Sequence, residues 1–423
     1  MDQAVLTLCV LGVMAILFVT EAIPLAITSM AGAIALGMLG VIPMKDVFSG
    51  LSNTTVVLFA GMFVVGASLF YTGLAQKIGN LVVQKAGKSE LSLMLALMVV
   101  GAIMSAISSN TGTCAALMPV VMGICSAAKI PAARQLMPLA FACGFGGIMT
   151  LIGTPPNIIV SGALDSAGYA PFGFFEFAWI GVPIAIASTA YMMFIGKHLL
   201  PKTDAKAGEE DSEANEETVV HNPAKMWVSG AILIIVVIFM ALNIKALPLH
   251  VVAVIGALIT VLTKCMTEKQ AYRSIDWVTI FLFAGMMPVA KGMEVSGAGK
   301  LIADTVLGIM GDSPSPYVIT AILFILSCGL TQFMSNTASC ALLAPIGISI
   351  AEGIGADPHA VLMAIGVAAS CAFATPIGTP PNTLVLGPGG YKFTDYIKAG
   401  GGLIVVCFVV SIIVIPMVWP FFK

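Results

Sequence analysis

The chain has 423 residues, of which 59% are hydrophobic and 9% charged, with a formal net charge of -2. Soluble domains carry about 25% charged residues, so this sparse charge points to a protein that crosses a membrane many times. The sequence has no basic patch, aromatic-basic interleaving or zinc-finger spacing, which argues against nucleic acid as a partner.

Taken in chain order, the apolar runs predict spans at 4–20, 22–41 and 54–75. The first lacks a basic leader and runs straight into the second, so it reads as a retained span. A longer apolar stretch, 91–128, is interrupted by Ser109-Asn110-Thr111. It is too long for one helix and predicts a re-entrant hairpin of two half-length helices meeting at a polar tip. Such a tip is tolerated inside a membrane only where protein or a cavity surrounds it. A span at 135–163 follows, broken at Gly153-Thr154-Pro155-Pro156-Asn157, and then another at 174–196. Residues 201–223 include Glu209, Glu210, Asp211, Glu213, Glu216 and Glu217, and read as an acidic, solvated linker.

The second half repeats the first. Spans at 226–242, 248–264 and 277–292 precede a hairpin at 315–351 centred on Ser335-Asn336-Thr337. A span at 359–387, broken at Gly378-Thr379-Pro380-Pro381-Asn382, and a last span at 398–420 complete the chain. Pro24-Leu25 returns as Pro248-Leu249 and Phe59-Ala60-Gly61-Met62 as Phe283-Ala284-Gly285-Met286, at nearly the same spacing as the motifs. The repeats are therefore 1–200 and 224–423. Five full crossings per half is an odd number, so the halves have opposite topology. With both termini outside and the linker in the cytoplasm, fourteen of the 19 Lys and Arg residues fall inside, the positive-inside bias. Lys45, Lys245, Lys291, Lys300 and Lys423 remain outside. The first hairpin then opens from the cytoplasm and the second from outside. The fold class is an all-α, polytopic, inverted-repeat transporter.

The motifs carry no charge. Pro155-Pro156 and Pro380-Pro381 remove backbone donors and stop their helices, and Gly153 and Gly378 permit the break. Freed carbonyls suit a cation, and helix N-termini beyond the break suit an anion. The competing reading is that Ser, Asn and Thr merely cap helices, but exact duplication of the set makes it the weaker one. It is the preferred reading for the isolated Ser52-Asn53-Thr54, and Glu21 likewise reads as a cap in a tight turn. Gly144-Phe145-Gly146-Gly147 lies in an apolar span and reads as close helix packing, not a nucleotide loop. The nine cysteines form no CxxC pair and read as buried thiols. Glu294 and Asp304 lack a plausible paired partner, and no nucleophile triad or metal cluster is evident, so an enzyme is not expected.

At the paired SNT and TPP motifs the sequence resembles the divalent anion:sodium symporter (DASS) family of INDY-like di- and tricarboxylate transporters. The resemblance covers nearly the whole chain. It implies a homodimer in the cell (inner) membrane, a scaffold, and an elevator-like transport domain holding both hairpins and both broken helices. Residue by residue, it implies that substrate is held by Asn110, Thr111, Thr154, Pro155, Asn336, Thr337, Thr379 and Pro380. One sodium ion would use Ser105, Ser109, Asn110 and Gly153. Another would use Thr331, Met334, Asn336 and Gly378. Some members have an extra helix before the first repeat, for which no sequence is found here. The implied activity is sodium-coupled import of C4-dicarboxylates such as succinate, malate or fumarate. Sodium-independent exchange of dicarboxylate or 2-oxoglutarate, or citrate or sulfate carriage, are alternatives within the family. An anion channel is the alternative from another class.

Overall fold

A computed structural model describes residues 2–85, 89–201, 223–242, 244, 246–310 and 315–422. The acidic segment read as a linker falls almost wholly outside the described residues. Those described contain helices and no strand. Nine of the helices are long and apolar enough to cross a membrane.

The first half runs α1 (Gln3–Thr20), α2 (Leu25–Met38), α3 (Thr54–Tyr71), α4 (Leu74–Lys85), α5 (Glu90–Ile107), α6 (Asn110–Ala128), α7 (Ala133–Gly147) and α8 (Pro155–Ser166). It ends with α9 (Ala178–Tyr191), which passes through a π-helical turn, Met192–Gly196, into α10 (Lys197–Leu199). The second half contains α11 (Pro223–Leu242), α12 (Leu249–Leu262), α13 (Glu268–Ser274), α14 (Trp277–Ser296), α15 (Ala298–Met310), α16 (Pro316–Thr331), α17 (Asn336–Ile354), α18 (Pro358–Ala369), α19 (Pro380–Leu386) and α20 (Phe393–Val418).

Short polar residues set the helix starts. Asn53 caps α3 by accepting from the Thr55 amide at 2.7 Å, the role read for that isolated SNT. Asp276 does the same at the equivalent point of α14, accepting from the Thr279 amide at 3.1 Å. Left-handed residues stop several helices: Gly297 closes α14 at φ 76° and Gly355 closes α17 at φ 66°. Glu21, at φ 48°, ends α1 in the turn before Pro24.

Packing is reciprocal between the halves. Helix α2 lies on α14 while α12 lies on α3; α5 lies on α7 while α16 lies on α18. Across the repeats α8 meets α17, α19 meets α6, and α9 meets α20. One layer is thus built from α1–α3, α11, α12 and α14. The other holds the hairpins, the broken helices, α9 and α20. Gly146 fits where any side chain would strike the backbone of Ala102, so the glycine run of α7 serves close helix packing. Phe141, Phe373 and Tyr396 are buried together, Phe141 meeting Phe373 edge-on at 5.5 Å.

Three expectations change. The hairpin arms are not half-length: α5 has 18 residues and α6 has 19. At about 1.5 Å per residue each reaches roughly 27 Å. Residues 86–88 and 311–314 lie outside the described set, but the helices before them, α4 and α15, are strongly amphipathic and were not expected. Their mixed polar and apolar residues do not form a continuous apolar run. Finally, eight cysteines are buried but Cys9 is exposed, because α1 packs on α2, α14 and α15 and leaves its other face uncovered.

Candidate functional site

Both hairpins turn at the serine of the SNT. Ser109 leaves the helical conformation and its Oγ accepts from the Gly112 amide at 3.0 Å, starting α6 at Asn110. Ser335 accepts from the Ala338 amide at 3.2 Å and starts α17 at Asn336. Each asparagine is therefore the first residue of a helix, directly beneath the tip.

Oxygen atoms crowd around each asparagine amide. The Oδ1 position of Asn110 is 2.5 Å from Ser105 Oγ. It is also 3.0 Å from the carbonyls of both Cys143 and Gly153. In the second repeat, the Oδ1 position of Asn336 is 2.7 Å from Thr331 Oγ1, 3.0 Å from the Gly378 carbonyl and 3.1 Å from that of Ala369. The amide can lie two ways here, and hydrogen bonding favours nitrogen inward. With nitrogen turned inward, the amide donates to these oxygens; with oxygen inward, the amide oxygen and its three neighbours form a group of four neutral oxygens. The second has the donor types, carbonyl, hydroxyl and carboxamide, that could hold a hard cation. The glycines make the approach possible: a Cβ on Gly153 would lie 2.5 Å from the Gly147 carbonyl, and one on Gly378 would lie 2.6 Å from that of Thr331.

The breaks themselves are held by the last residue of each GTPPN motif. Asn157, fully buried, donates its Nδ2 to the carbonyls of Thr150 at 2.8 Å and of Gly147 and Ile148 at 3.2 Å. Asn382, also fully buried, donates to Ala372 and Thr375, both at 2.9 Å. Thr150 ties its loop to the Ala106 carbonyl and Thr375 ties the other to the Gln332 carbonyl. These side chains satisfy carbonyls that have no helical partner where the backbone breaks. Both asparagines end a duplicated GTPPN motif, and that duplication is the signal of their role in the sequence.

A cavity of about 870 Å³ lies between the layers. Asn110, Thr111, Thr154, Pro155, Asn336, Thr337, Thr379 and Pro380 all line it, so the structure gathers the whole set of sequence-predicted substrate residues. Its other wall is apolar, with Phe59, Met62, Phe63 and Phe70. Among the described residues it has no Lys, Arg or His in its lining, and Asp276 is its one carboxylate. Helices α6, α8 and α17 begin at this cavity, placing the positive ends of three helix dipoles there.

Of the sequence-predicted cation residues, Ser105, Asn110 and Gly153 cluster, as do Thr331, Asn336 and Gly378. The carbonyls of Cys143 and Ala369 join them and were not anticipated, since any residue type can supply a carbonyl. Ser109 uses its hydroxyl as a cap. Met334 is buried, and its amide donates to the Leu330 carbonyl at 3.1 Å, but no hydrogen bond connects it to the cluster.

A second cavity, of about 690 Å³, is the repeat mate of the first. Phe59, Ala67, Phe70 and Gln76 of the first return as Phe283, Lys291, Glu294 and Lys300 of the second. It reaches neither SNT. Glu294 and Asp304, which the sequence left without partners, line it with Lys291, Lys300 and Glu352. The motifs therefore communicate with only one of two symmetry-related cavities.

A reciprocal helical repeat, with two hairpin tips and two helix breaks around one cavity, is the architecture of a membrane transporter. Comparisons with known proteins agree and supply the family. The citrate transporter family CitMHS matches residues 15–361 and 325–423, and the chain belongs to it. An uncharacterized transporter of Haemophilus influenzae is 31% identical over 97% of this chain and 91% of its own. The sodium-dependent dicarboxylate transporter SdcS of Staphylococcus saprophyticus is 25% identical over 99% of this chain and 87% of its own, consistent with the DASS-type resemblance. Among solved structures, the Alcanivorax borkumensis YdaH transporter aligns with a TM-score of 0.66 at 15% identity, over 96% of this chain and 98% of its own. That likeness supports the fold. The relatives and structural neighbours are transporters, and this chain is a transporter, not an enzyme.

Proposed function

We propose that the protein imports C4-dicarboxylates together with sodium ions across the cell (inner) membrane, moving its hairpin layer as an elevator against a dimeric scaffold layer. The observation that carries this reading is the pairing of two four-oxygen clusters with one anion-compatible cavity. Each cluster shares its asparagine with the cavity wall, so a cation and a carboxylate would be held by opposite ends of one amide.

Ser105, Asn110, Cys143 and Gly153 hold one sodium ion; Thr331, Asn336, Ala369 and Gly378 hold the other. The dianion lies between the SNT tips, receiving hydrogen bonds from Asn110, Thr111, Asn336 and Thr337 and the positive ends of the helices. Two bound sodium ions offset a dianion, so the loaded layer moves without carrying net charge through the low-dielectric region. With the termini outside, the cavity opens toward Gln76, Ser274 and Asp276 on the cytoplasmic side, an inward-open arrangement.

The name of SdcS supports sodium and dicarboxylate, while the family description makes citrate the competing substrate. Radiolabelled succinate uptake into proteoliposomes tests the proposal at fixed potential and pH, with and without an inward sodium gradient and with and without internal succinate. Accumulation driven by the sodium gradient is expected. Uptake that needs internal succinate and ignores sodium would replace symport by exchange, and saturable citrate uptake without succinate uptake would change the substrate.

A further inference from the structure

We propose that the side-chain amides of Asn110 and Asn336 are rotary couplers, each turning over when a cation arrives and so converting its cavity face from anion-repelling to anion-binding. This inference rests on the sodium and carboxylate reading above and goes beyond it by giving the step that links the two ligands.

The starting observation is the same in both repeats. Hydrogen bonding alone favours the amide with nitrogen inward. Nδ2 of Asn110 then donates to the Cys143 and Gly153 carbonyls, each at 3.0 Å, with Ser105 Oγ at 2.5 Å. Nδ2 of Asn336 likewise donates to Gly378 at 3.0 Å and Ala369 at 3.1 Å, with Thr331 Oγ1 at 2.7 Å. The opposite end of each amide has no hydrogen-bond partner among the described residues, and both asparagines line the cavity. With nitrogen inward, the end facing the cavity is a carbonyl oxygen. A carboxylate is acceptor-only, so the two would repel.

A cation at the cluster reverses the preference. The inward atom must then be oxygen, because an N–H pointing at a cation is unfavourable and a carbonyl oxygen is a ligand. The rotation is about a terminal sp³–sp² bond, whose profile is broad and roughly two-fold, so the tethered side chain can exchange its ends without moving the backbone. Nδ2 now faces the cavity and donates to the carboxylate. Both ligands thus select the same orientation, which is the differential interaction that thermodynamic coupling requires. Only a carboxamide can act this way. Aspartate offers oxygen at both ends, and serine has too short a reach to present a donor and an acceptor on opposite sides.

The test uses purified full-length protein, with ²²Na binding and [¹⁴C]succinate binding measured separately at equilibrium in sodium or choline medium. For the wild type, saturating sodium is expected to tighten succinate binding by about tenfold or more, the factor that ~1.4 kcal/mol of coupling represents. Asn110→Asp and Asn336→Asp are expected to keep sodium binding within about threefold or strengthen it. They should weaken succinate binding by about tenfold or more, since a donor becomes an acceptor. Succinate binding by either variant at wild-type strength would overturn the coupler while leaving symport intact. So would wild-type succinate affinity that is equal in sodium and choline, with both ligands bound. A variant that elutes as wild type yet binds neither ligand also counts against it, because aspartate should retain the cation. Wild type that binds neither sodium nor succinate would instead sink the functional reading and the coupler with it. A variant-free measurement stands beside these: side-chain amide resonances of [¹⁵N]asparagine-labelled wild type, assigned by single substitutions. Sodium alone is expected to shift the Asn110 and Asn336 amides, and resonances unmoved at saturating sodium would overturn the proposal.

Discussion

Cys340 Sγ lies 3.4 Å from the carbonyl oxygen of Pro156, and its repeat counterpart Cys114 faces the carbonyl of Pro381 at 3.8 Å. Each hairpin therefore rests on the helix that restarts after the break in the opposite repeat. Both thiols are fully buried, so these are packed contacts between halves. Neither repeat alone would complete the cavity, because each contributes the hairpin that seats the other's Thr-Pro-Pro turn.

The tightness of that seat can be measured. Cys340→Leu adds volume where no space exists and is expected to cost about 1–3 kcal/mol. It should lower the thermal unfolding midpoint and reduce uptake, while Cys340→Ala should be milder on both. An unchanged midpoint and uptake for Cys340→Leu would mean that the hairpin and α8 do not pack as described.

The two buried asparagines of the breaks offer a second prediction. Asn157→Ala removes the donor to three carbonyls and Asn382→Ala the donor to two. An unsatisfied buried polar group costs about 1–3 kcal/mol, so each variant should lose several degrees of stability and most of its transport. Equal damage from both is expected, given the equivalent geometry. Uptake near wild type in either would show that the broken backbone holds its shape without this splint.

Most of the architecture was legible because its signals are local and duplicated. Apolar runs placed the spans, Pro155-Pro156 and Pro380-Pro381 placed the breaks, and a near-constant spacing paired the halves. The amphipathic helices α4 and α15 escaped, since alternating polar and apolar residues resemble a connection when only hydropathy is scanned. The site divides the same way. Side chains such as Ser105 and Thr331 were readable from their duplicated positions before each SNT. The carbonyls of Cys143 and Ala369 were not, because a backbone oxygen leaves no trace in residue identity. Nor could spacing reveal that Ser109 caps α6, since capping and ligation draw on the same hydroxyl.

Asp46, in the connection after α2, belongs to an ion pair with a defined pH signature. Lys291 Nζ donates to Asp46 Oδ2 at 2.8 Å, and this hydrogen bond holds the Asp46 carboxyl below its ordinary 3.8. A lowered folded-state value stabilises the protein above the unfolded value, and that contribution disappears as pH falls through the lower one. Asp46→Asn should therefore leave the unfolding midpoint almost unchanged relative to wild type at low pH and lower it slightly at neutral pH, because the pair is exposed and screened. A larger difference in acid than at neutrality would contradict the pairing.

The proposed orientation is open to direct labelling. A tag at residue 212 is expected to be reachable only from the cytoplasm, and one at the N-terminus only from outside. Detection of both on one side of intact cells would remove the ten-crossing topology. It would also reverse the inward-open assignment of the cavity, which depends on which face carries Ser274 and Asp276.

The last prediction separates cap from ligand within three consecutive residues. Ser109 and Ser335 hold helix amides with their hydroxyls, whereas Asn110 and Asn336 aim their amides into the oxygen clusters. Ser109→Ala and Ser335→Ala should cost about 1 kcal/mol each, the ordinary value of a cap, and leave the sodium dependence of uptake in place. Asn110→Ala and Asn336→Ala should abolish or sharply weaken uptake in protein that still elutes as wild type, because on the proposed reading each removes a cation ligand and an anion donor together. The deciding readout is the sodium concentration for half-maximal uptake. If Ser109→Ala raises it while Asn110→Ala leaves uptake intact, the serine hydroxyl is the ligand and the asparagine the structural residue. The cluster would then have to be rebuilt around the hairpin tip instead of beneath it.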